Sequence, residues 1–344
     1  MTREKPTIYD VASEAGVAIS TVSRVLNGSP GVSDPTRERV EAAIEHLGFR
    51  PKRTARTLAQ QEEHALAVAM PSFTSLFFVE LLKGVKDELR ERDIDLLLCN
   101  LGSTGPYQTL YRFLDRGAVD GLLLASLPLN APLERELMRL NAPVVLIGTE
   151  HERLDCLYWD DDAGAERAVA HLAERGHARI GLIAAHPWSY DGDARLGGYR
   201  RALEAAGLDF DPALVVTGET EKHAGYSEEV GYEAMQKLLA LPEPPTAVFA
   251  SADVQAFGAW SALRDGGLRV PEDVALVGYD GLKLSRYLGL TTVDRRMYNV
   301  GRRATQRLLE RLSSDTEERY VERVDPDLVV RRSSGAATAT ATGA

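Results

Sequence analysis

From residue 65 to residue 280, short and almost wholly apolar runs alternate with longer amphipathic stretches, and no other feature restricts so tightly what the chain can fold into. The runs at 65–70, 94–99, 119–125, 143–148, 179–184, 246–250 and 273–278 predict strands. The stretches at 77–91, 163–175, 196–206, 232–241 and 256–265 predict helices. Strands this apolar, bounded by helices, imply parallel sheets covered on both faces. Ligands of such sheets bind beyond the carboxyl ends of the strands, so a site is sought in the loops at 71–78, 148–152, 159–162, 186–195, 251–253 and 279–281.

Core material is ample, since 44% of the 344 residues are hydrophobic and 26% charged, and the length predicts two or three folded units. Cys99 and Cys156 are too few for a disulfide scaffold and each lies in an apolar run, which points to the cytoplasm. The first residues hold no apolar signal-type segment, and no run of about 18 uncharged apolar residues occurs, which argues against secretion and against a membrane partner.

A net charge of −11 argues by itself against a polyanionic partner, but the average misleads. Residues 1–60 carry nine Lys or Arg and seven acids, a net +2, and the remainder carries −13. Four of those cations, Arg50, Lys52, Arg53 and Arg56, follow one another with no acid between. A locally basic head on an acidic body is the pattern to explain.

In the head, Ile8, Val11, Ala12 and Ala15 share one helical face, Thr7 and Asp10 have the spacing of a capping box, and Gly16 suits a left-handed stop. After a three-residue connection, Val22, Val25 and Leu26 define a second inward face. Ile19, Ser20, Ser23, Arg24 and Asn27 point the other way. Small side chains let a helix lie close in the major groove of DNA, and an arginine fork can bond two acceptors on guanine. A third helix with Val40, Ile44 and Leu47 inward completes a small core. The segment 50–59 has only the narrow stripe Ala55, Leu58 and Ala59, so it reads as a linker helix that folds on its partner, with cations for phosphates and Leu58 as a minor-groove wedge.

Thr7-Ile8-Tyr9-Asp10-Val11-Ala12, Ala15-Gly16-Val17, Thr21-Val22-Ser23-Arg24-Val25-Leu26-Asn27 and Val32-Ser33 resemble the N-terminal signature of the lactose-repressor (LacI/GalR) family of bacterial transcription regulators. The resemblance implies a DNA-contacting set of Thr7, Ile19, Ser20, Thr21, Ser23, Arg24, Asn27, Lys52, Arg53, Ala55, Arg56 and Leu58. Ile19, Ser20 and Arg24 take the base-reading positions and Leu58 that of the leucine inserted at the operator centre. Two residues depart from the family pattern. Ala18 replaces a capping serine, at a cost of about 1 kcal/mol, and Lys52 replaces an asparagine while still offering a phosphate donor.

The resemblance extends more loosely over about 65–331 through Asp120-Gly121, Asp160–Gly164, His171-Leu172, Gly176-His177, Arg195 with Gly198-Tyr199, Val277-Gly278-Tyr279-Asp280 and Leu290-Thr291-Thr292-Val293. It implies a helix-turn-helix head at 1–50, a hinge at 51–62 and a periplasmic-binding-protein-like α/β body at 65–332 with two Rossmann-like parallel-sheet subdomains. The N-subdomain is expected at 65–160 plus 294–319 and the C-subdomain at 161–293 plus 320–332, followed by a disordered tail at 333–344. Arg195 and Asp280 fall on positions that contact effector, and their chemistry suits paired hydroxyls. Phe77, Phe78 and Trp159 are further cleft candidates, as is Trp188, although large aromatics are as commonly packing residues. Asp253 follows Ala252, which stands where an asparagine commonly bonds the effector. Arg295 and Met297 stand near a variable contact site, and Gly225-Tyr226 and Gly231-Tyr232 compete for one landmark.

Three consecutive acids, Asp160 to Asp162, point in different directions, and His171 and His177 do not share a helical face as a zinc pair must. Gly-x-Ser-x-Gly, His-Glu-x-x-His and the Walker loop are absent. No catalysis, metal or cofactor is therefore expected. The expected function is that of a homodimeric regulator, in the first instance a repressor, on a pseudo-palindromic double-stranded operator, gated by a small-molecule effector of carbohydrate type. The alternatives are a regulator governed by a protein corepressor and a sugar-binding protein with no role on DNA.

Overall fold

The computed structural model describes residues 7–26, 32–47, 64–102, 104–116, 119–186, 192–314 and 318–335. Asn27, Lys52, Arg53, Ala55, Arg56, Leu58 and Trp188 lie outside the described residues. The chain forms two compact units, a head ending at Ala65 and a larger body.

The head is three helices, α1 (Ile8–Ala15), α2 (Ile19–Leu26) and α3 (Asp34–Leu47). The Asp10 carboxylate reaches back to accept from the Thr7 N–H and the Thr7 hydroxyl, each at 2.7 Å. Those two bonds hold its pKa below the usual carboxylate range and place negative charge in the first turn, where the helix dipole favours it. Gly16 ends α1 at φ +63, a conformation that costs glycine little. Val11, Ala12, Ala15, Val22, Val25, Val40 and Ala43 form the buried core, with Ile8, Ile44 and Leu47 packed against it.

The body holds two six-stranded sheets. The first is built from β1 (His64–Met70), β2 (Ile94–Asn100), β3 (Gly121–Ala125), β4 (Val144–Ile147), β5 (Asp155–Trp159) and β11 (Val321–Val324), in the order β11-β5-β4-β3-β1-β2. The second takes β6 (Ile180–Ile183), β7 (Val215–Val216), β8 (Ala247–Ala250), β9 (Ala275–Asp280), β10 (Thr291–Asp294) and β12 (Asp327–Val329), in the order β12-β10-β9-β8-β6-β7. Among the described pairings all are parallel except that of β12, which runs antiparallel to β10. Helices α4 (Leu76–Leu89), α5 (Pro106–Leu114), α6 (Ala131–Arg139) and α12 (Met297–Ser313) accompany the first sheet. Helices α7 (Asp161–Ala173), α8 (Gly192–Ala205), α9 (Glu228–Leu239), α10 (Asp253–Asp265) and α11 (Lys283–Leu288) accompany the second.

The chain passes between the sheets three times, after β5, after β10 and after β11. The last crossing corrects the expected boundary at 319/320. Val321 to Val324 pair with Cys156 to Trp159, so the N-subdomain runs through residue 324 and the C-subdomain resumes at β12. β11 escaped the apolar criterion because it is an edge strand with Glu322 and Arg323 inside it. β10 escaped because it begins with two threonines, whose buried hydroxyls bond Arg331 O at 3.0 Å and Asp253 Oδ1 at 2.6 Å.

The tail also departs from expectation. Ser333 and Ser334 are 0% and 1% exposed rather than part of a disordered end. The Ser333 hydroxyl donates to Leu276 O and accepts from Thr291 N–H at 2.8 Å, while Ser334 Oγ meets His171 Nε2 at 2.8 Å. Composition predicts no packing here because apolar area is scarce, but these hydroxyls instead satisfy buried strand groups. Residues 336–344 lie outside the described ones.

Helices α4 and α12 cross at two glycines. A Cβ on Gly84 would stand 2.0 Å from the Tyr298 carbonyl oxygen, and one on Gly301 would stand 2.2 Å from that of Leu81. Gly84→Ala is therefore expected to lower stability by about 1–3 kcal/mol through overpacking against backbone, measured by denaturant unfolding. An unchanged midpoint would mean that the helices separate without cost.

Candidate functional site

The head presents α2 with Val22 and Val25 buried and Ile19, Ser20 and Arg24 exposed, while Thr21 and Ser23 are half-buried. Its first turn is closed by the Ala18 carbonyl, which accepts from Thr21 N–H at 2.8 Å and Val22 N–H at 3.2 Å. Alanine supplies no side-chain cap to this end of the helix. Thr7 is exposed at the start of α1, with its hydroxyl engaged by Asp10. The outward face thus joins an apolar contact, a hydroxyl and a guanidinium on a rigid helix.

In the body, the strand ends converge on a cleft between the two sheets. Trp159 closes β5, Phe77 stands in the first turn of α4, Arg195 comes from α8, Tyr279 and Asp280 end β9, and Arg295 follows β10. Arg295 sits 4.3 Å from the Trp159 ring centre and 4.6 Å from that of Phe77, and its carbonyl accepts from Trp159 Nε1 at 2.8 Å. The Tyr279 ring lies beneath both guanidiniums, 4.2 Å from Arg195 and 5.9 Å from Arg295. Asp161 takes both cations at 3.4 Å, one on each carboxylate oxygen, and Asp280 stands 3.7 Å from Arg295 Nη1. Two guanidiniums and two carboxylates balance in charge, so the buried cluster avoids an uncompensated ion. Arg195 also donates to Ser251 O. Gly164 permits this packing, because a Cβ there would fall 2.3 Å from the Tyr279 hydroxyl.

Asp280 has φ +120, a strained conformation for a residue with a side chain, held where β9 runs into Gly281. Strained residues concentrate at binding sites.

Two expected contacts are corrected. Asp253 is 0% exposed, and its carboxylate is consumed by Leu282 N–H and Ser285 Oγ at 2.7 Å and Thr292 Oγ1 at 2.6 Å. It offers a ligand no surface and instead ties α10 to α11 and β10. Burial raises its pKa to about 7, against the pull of those three bonds. Phe78 shares the core stripe of α4 with Leu81, Val85 and Leu89, and meets Phe77 edge-on at 5.1 Å. Helical spacing turns Phe77 alone toward Arg295.

Sequence reasoning placed Arg295 only near a variable contact site, missed Asp161 and had no means to choose between the two Gly-Tyr pairs. The structure places Tyr226, 5.3 Å from Arg195, at the cleft, whereas Tyr232 donates to Asp265. The three neighbouring acids have separate tasks. Asp160 caps α7 through Ala163 N–H at 2.9 Å, Asp161 joins the arginines, and Asp162 pairs with Arg201 at 3.1 Å. His171 is buried, and burial followed by the nearby Arg175 pushes its pKa down to about 4, which keeps it neutral. Among the described residues no three or more His, Cys, Asp or Glu side chains group to hold a metal. No described helix is long and apolar enough to cross a membrane.

A three-helix unit with an exposed polar helix, followed by two parallel-sheet subdomains around a charged and aromatic cleft, defines a DNA-reading head joined to a periplasmic-binding-protein-like body. Residues 7–52 match the model of "Bacterial regulatory proteins, lacI family", and residues 169–334 that of a "Periplasmic binding protein-like domain". The transcriptional repressor PurR of Vibrio atlanticus is 33% identical over 331 residues, 94% of this chain and 97% of that protein. The structure of a transcriptional regulator CelR–cellobiose complex is similar with a TM-score of 0.68 and 34% identity, over 95% of this chain and 99% of that one. The Lac repressor dimer bound to operator and the anti-inducer ONPF is similar with a TM-score of 0.72 and 27% identity, over 97% and 100%. The chain belongs to the LacI family of bacterial regulatory proteins.

Proposed function

We propose that this chain is a cytoplasmic, sequence-specific repressor that binds a pseudo-palindromic operator as a homodimer and is gated by a neutral sugar in the inter-subdomain cleft. It has no catalytic role. The observation that carries the reading is the charge-balanced cluster of Arg195, Arg295, Asp161 and Asp280 set against Phe77, Trp159 and Tyr279. Aromatic faces pack the apolar side of a sugar ring, guanidiniums donate to its oxygens, and Asp280 accepts from its hydroxyls. The CelR complex, with cellobiose, supports a carbohydrate, and the Lac repressor, a dimer on operator, supports the two-fold arrangement. One small head contacts few base pairs, which also favours a dimer.

Ile19, Ser20 and Arg24 read bases in this proposal. Thr7, Thr21, Ser23, Asn27, Lys52, Arg53, Ala55, Arg56 and Leu58 supply the remaining DNA contacts. Sugar binding between the two sheets closes them on one another and biases the operator-binding state. The test is selection of bound DNA from a random pool, then titration of the selected site at two salt concentrations with and without a sugar panel. A palindromic consensus whose affinity shifts with one sugar supports the reading. A consensus that no sugar affects removes the effector assignment, and the lack of any consensus removes the DNA assignment.

Arg24→Ala is expected to lower discrimination at one base pair by about 1–3 kcal/mol, with a smaller loss on random DNA. Competition binding against a single-substituted operator series measures this. Equal losses on specific and random DNA would make Arg24 a phosphate contact.

A further inference from the structure

The three crossings between the subdomains are fastened to one another in pairs. On the first, Trp159 Nε1 donates to Arg295 O on the second at 2.8 Å. Arg323 of β11 pairs with Asp160, which caps α7 after the first crossing, and stands 3.8 Å from Asp325 on the third. Arg296, which follows Arg295 on the second crossing, pairs with Asp327, where the third enters β12. Arg167 of α7 adds a bond to Pro326 O. Each crossing is therefore tied to the other two. In both outer ion pairs the arginine stands on the side of the first sheet and the carboxylate on that of the second.

The cations are required because acids meet at these places. Asp294 and Asp327 are direct partners across β10 and β12, and like charges so placed repel. Arg296 relieves both, since its backbone N–H donates to Asp294 Oδ1 at 2.7 Å while its guanidinium takes Asp327. Arg323 serves Asp160 and Asp325 in the same way. The side chains of Arg296, Arg323 and Asp327 are 46%, 52% and 52% exposed, so dissolved salt screens these pairs. The Asp161 cluster, closed off from water, is screened far less. An exposed pair shifts an equilibrium by at most about fivefold, and a reversed charge replaces that attraction by repulsion.

We propose that the pairs Arg323–Asp160 and Arg296–Asp327 form a salt-sensitive latch that makes the three crossings move as one hinge and resists opening of one sheet subdomain against the other. Arg296 and Arg323 are positioning residues, which act through the crossings rather than on a ligand. Trp159 and Arg295 belong to the same crossings and also wall the cleft, so closure on an effector works against or with the latch, and ionic strength adjusts the response. That last link rests on the effector reading above, whereas the latch itself does not.

Hydrogen exchange of the full chain without ligand, read by mass spectrometry at about 0.05 M and about 0.5 M salt, tests the latch. Amides around Trp159–Asp161, Asp294–Arg296 and Asp325–Asp327 are expected to exchange about threefold faster at the higher salt, while those of the central strands β3 and β8 do not change. Arg296→Glu is expected to speed exchange about fivefold at all three crossings, the first included, and addition of Asp327→Arg to restore the natural rates. Arg323→Gln, which introduces no repulsion, is expected to act in the same direction more weakly. Unchanged exchange in β3 and β8 shows that a variant is folded, and if Arg296→Glu unfolds, Arg323→Gln and the salt series decide. Faster exchange confined to the altered crossing, a double variant no slower than Arg296→Glu, or crossings indifferent to salt would overturn the latch. Any of these leaves the effector reading standing, and a chain that answers no sugar leaves the latch standing.

Discussion

Arg195→Met is expected to abolish the effector response while operator binding survives. Arg195 is 2% exposed, lies on Tyr279 and donates to Ser251 O and Asp161. Methionine keeps much of the length and the contact with the ring but none of the donors. Hydrogen bonds to a charged group contribute about 1.5–3 kcal/mol each, so loss of two to the ligand weakens it by at least about a hundredfold. A stability loss of about 3 kcal/mol should accompany this, because one cation is removed from a buried balanced cluster and Asp161 keeps only Arg295. Effector titration, monitored through operator release, and denaturant unfolding read the two effects separately. A variant that still answers the sugar with near-normal affinity would place the ligand elsewhere in the body.

The second large effect falls on Asp253. Asp253→Leu leaves the Leu282 N–H and the Ser285 and Thr292 hydroxyls buried without their acceptor, and each such group costs about 1–3 kcal/mol. A total loss of about 3–5 kcal/mol is expected, and the segment carrying β10 should loosen with it. The same carboxyl also makes stability depend on pH. Its ordinary value is 3.8 and burial raises it to about 7 in the folded chain, so the folded state holds the proton longer than the unfolded state does. The resulting stabilisation is complete below about pH 4 and declines as pH rises toward 7, where the folded carboxyl ionises. Above that it changes no further. The stability of the natural chain relative to Asp253→Asn should therefore fall between pH 4.5 and 7 and level off beyond. Parallel curves across that range would show that Asp253 ionises in the folded state as it does in the unfolded one.

Asp253 also illustrates why part of the cleft was not legible beforehand. Its place in the sequence, after Ala252 at the end of an apolar strand, matches that of a ligand contact. Its side chain turns toward groups 29 to 39 residues away, which no local pattern reports. Arg295 is the converse case. In sequence it is one of two adjacent arginines, and only the approach of Trp159, Phe77 and Asp161 from the other subdomain and crossover makes it part of the cleft while Arg296 turns to Asp327.

Local patterns served well where burial is a matter of periodicity. Ile8, Val11, Ala12 and Ala15 pack on the inner side of α1, Gly16 ends that helix, and Val22 and Val25 turn inward on α2. The exposed positions of Ile19, Ser20 and Arg24 follow from the same geometry. Six of the seven apolar runs became interior parallel strands, β1, β3, β4, β6, β8 and β9, because burial on both faces suits them, whereas the run at 94–99 became the edge strand β2, with Leu98 45% exposed. Edge strands β11 and β12, the crossing at residues 325–326 and the anchoring of Ser333 and Ser334 required the tertiary structure. A polar strand or a serine is buried only when a distant partner satisfies its hydrogen bonds, and periodicity records which face is apolar but not where a polar group finds its partner.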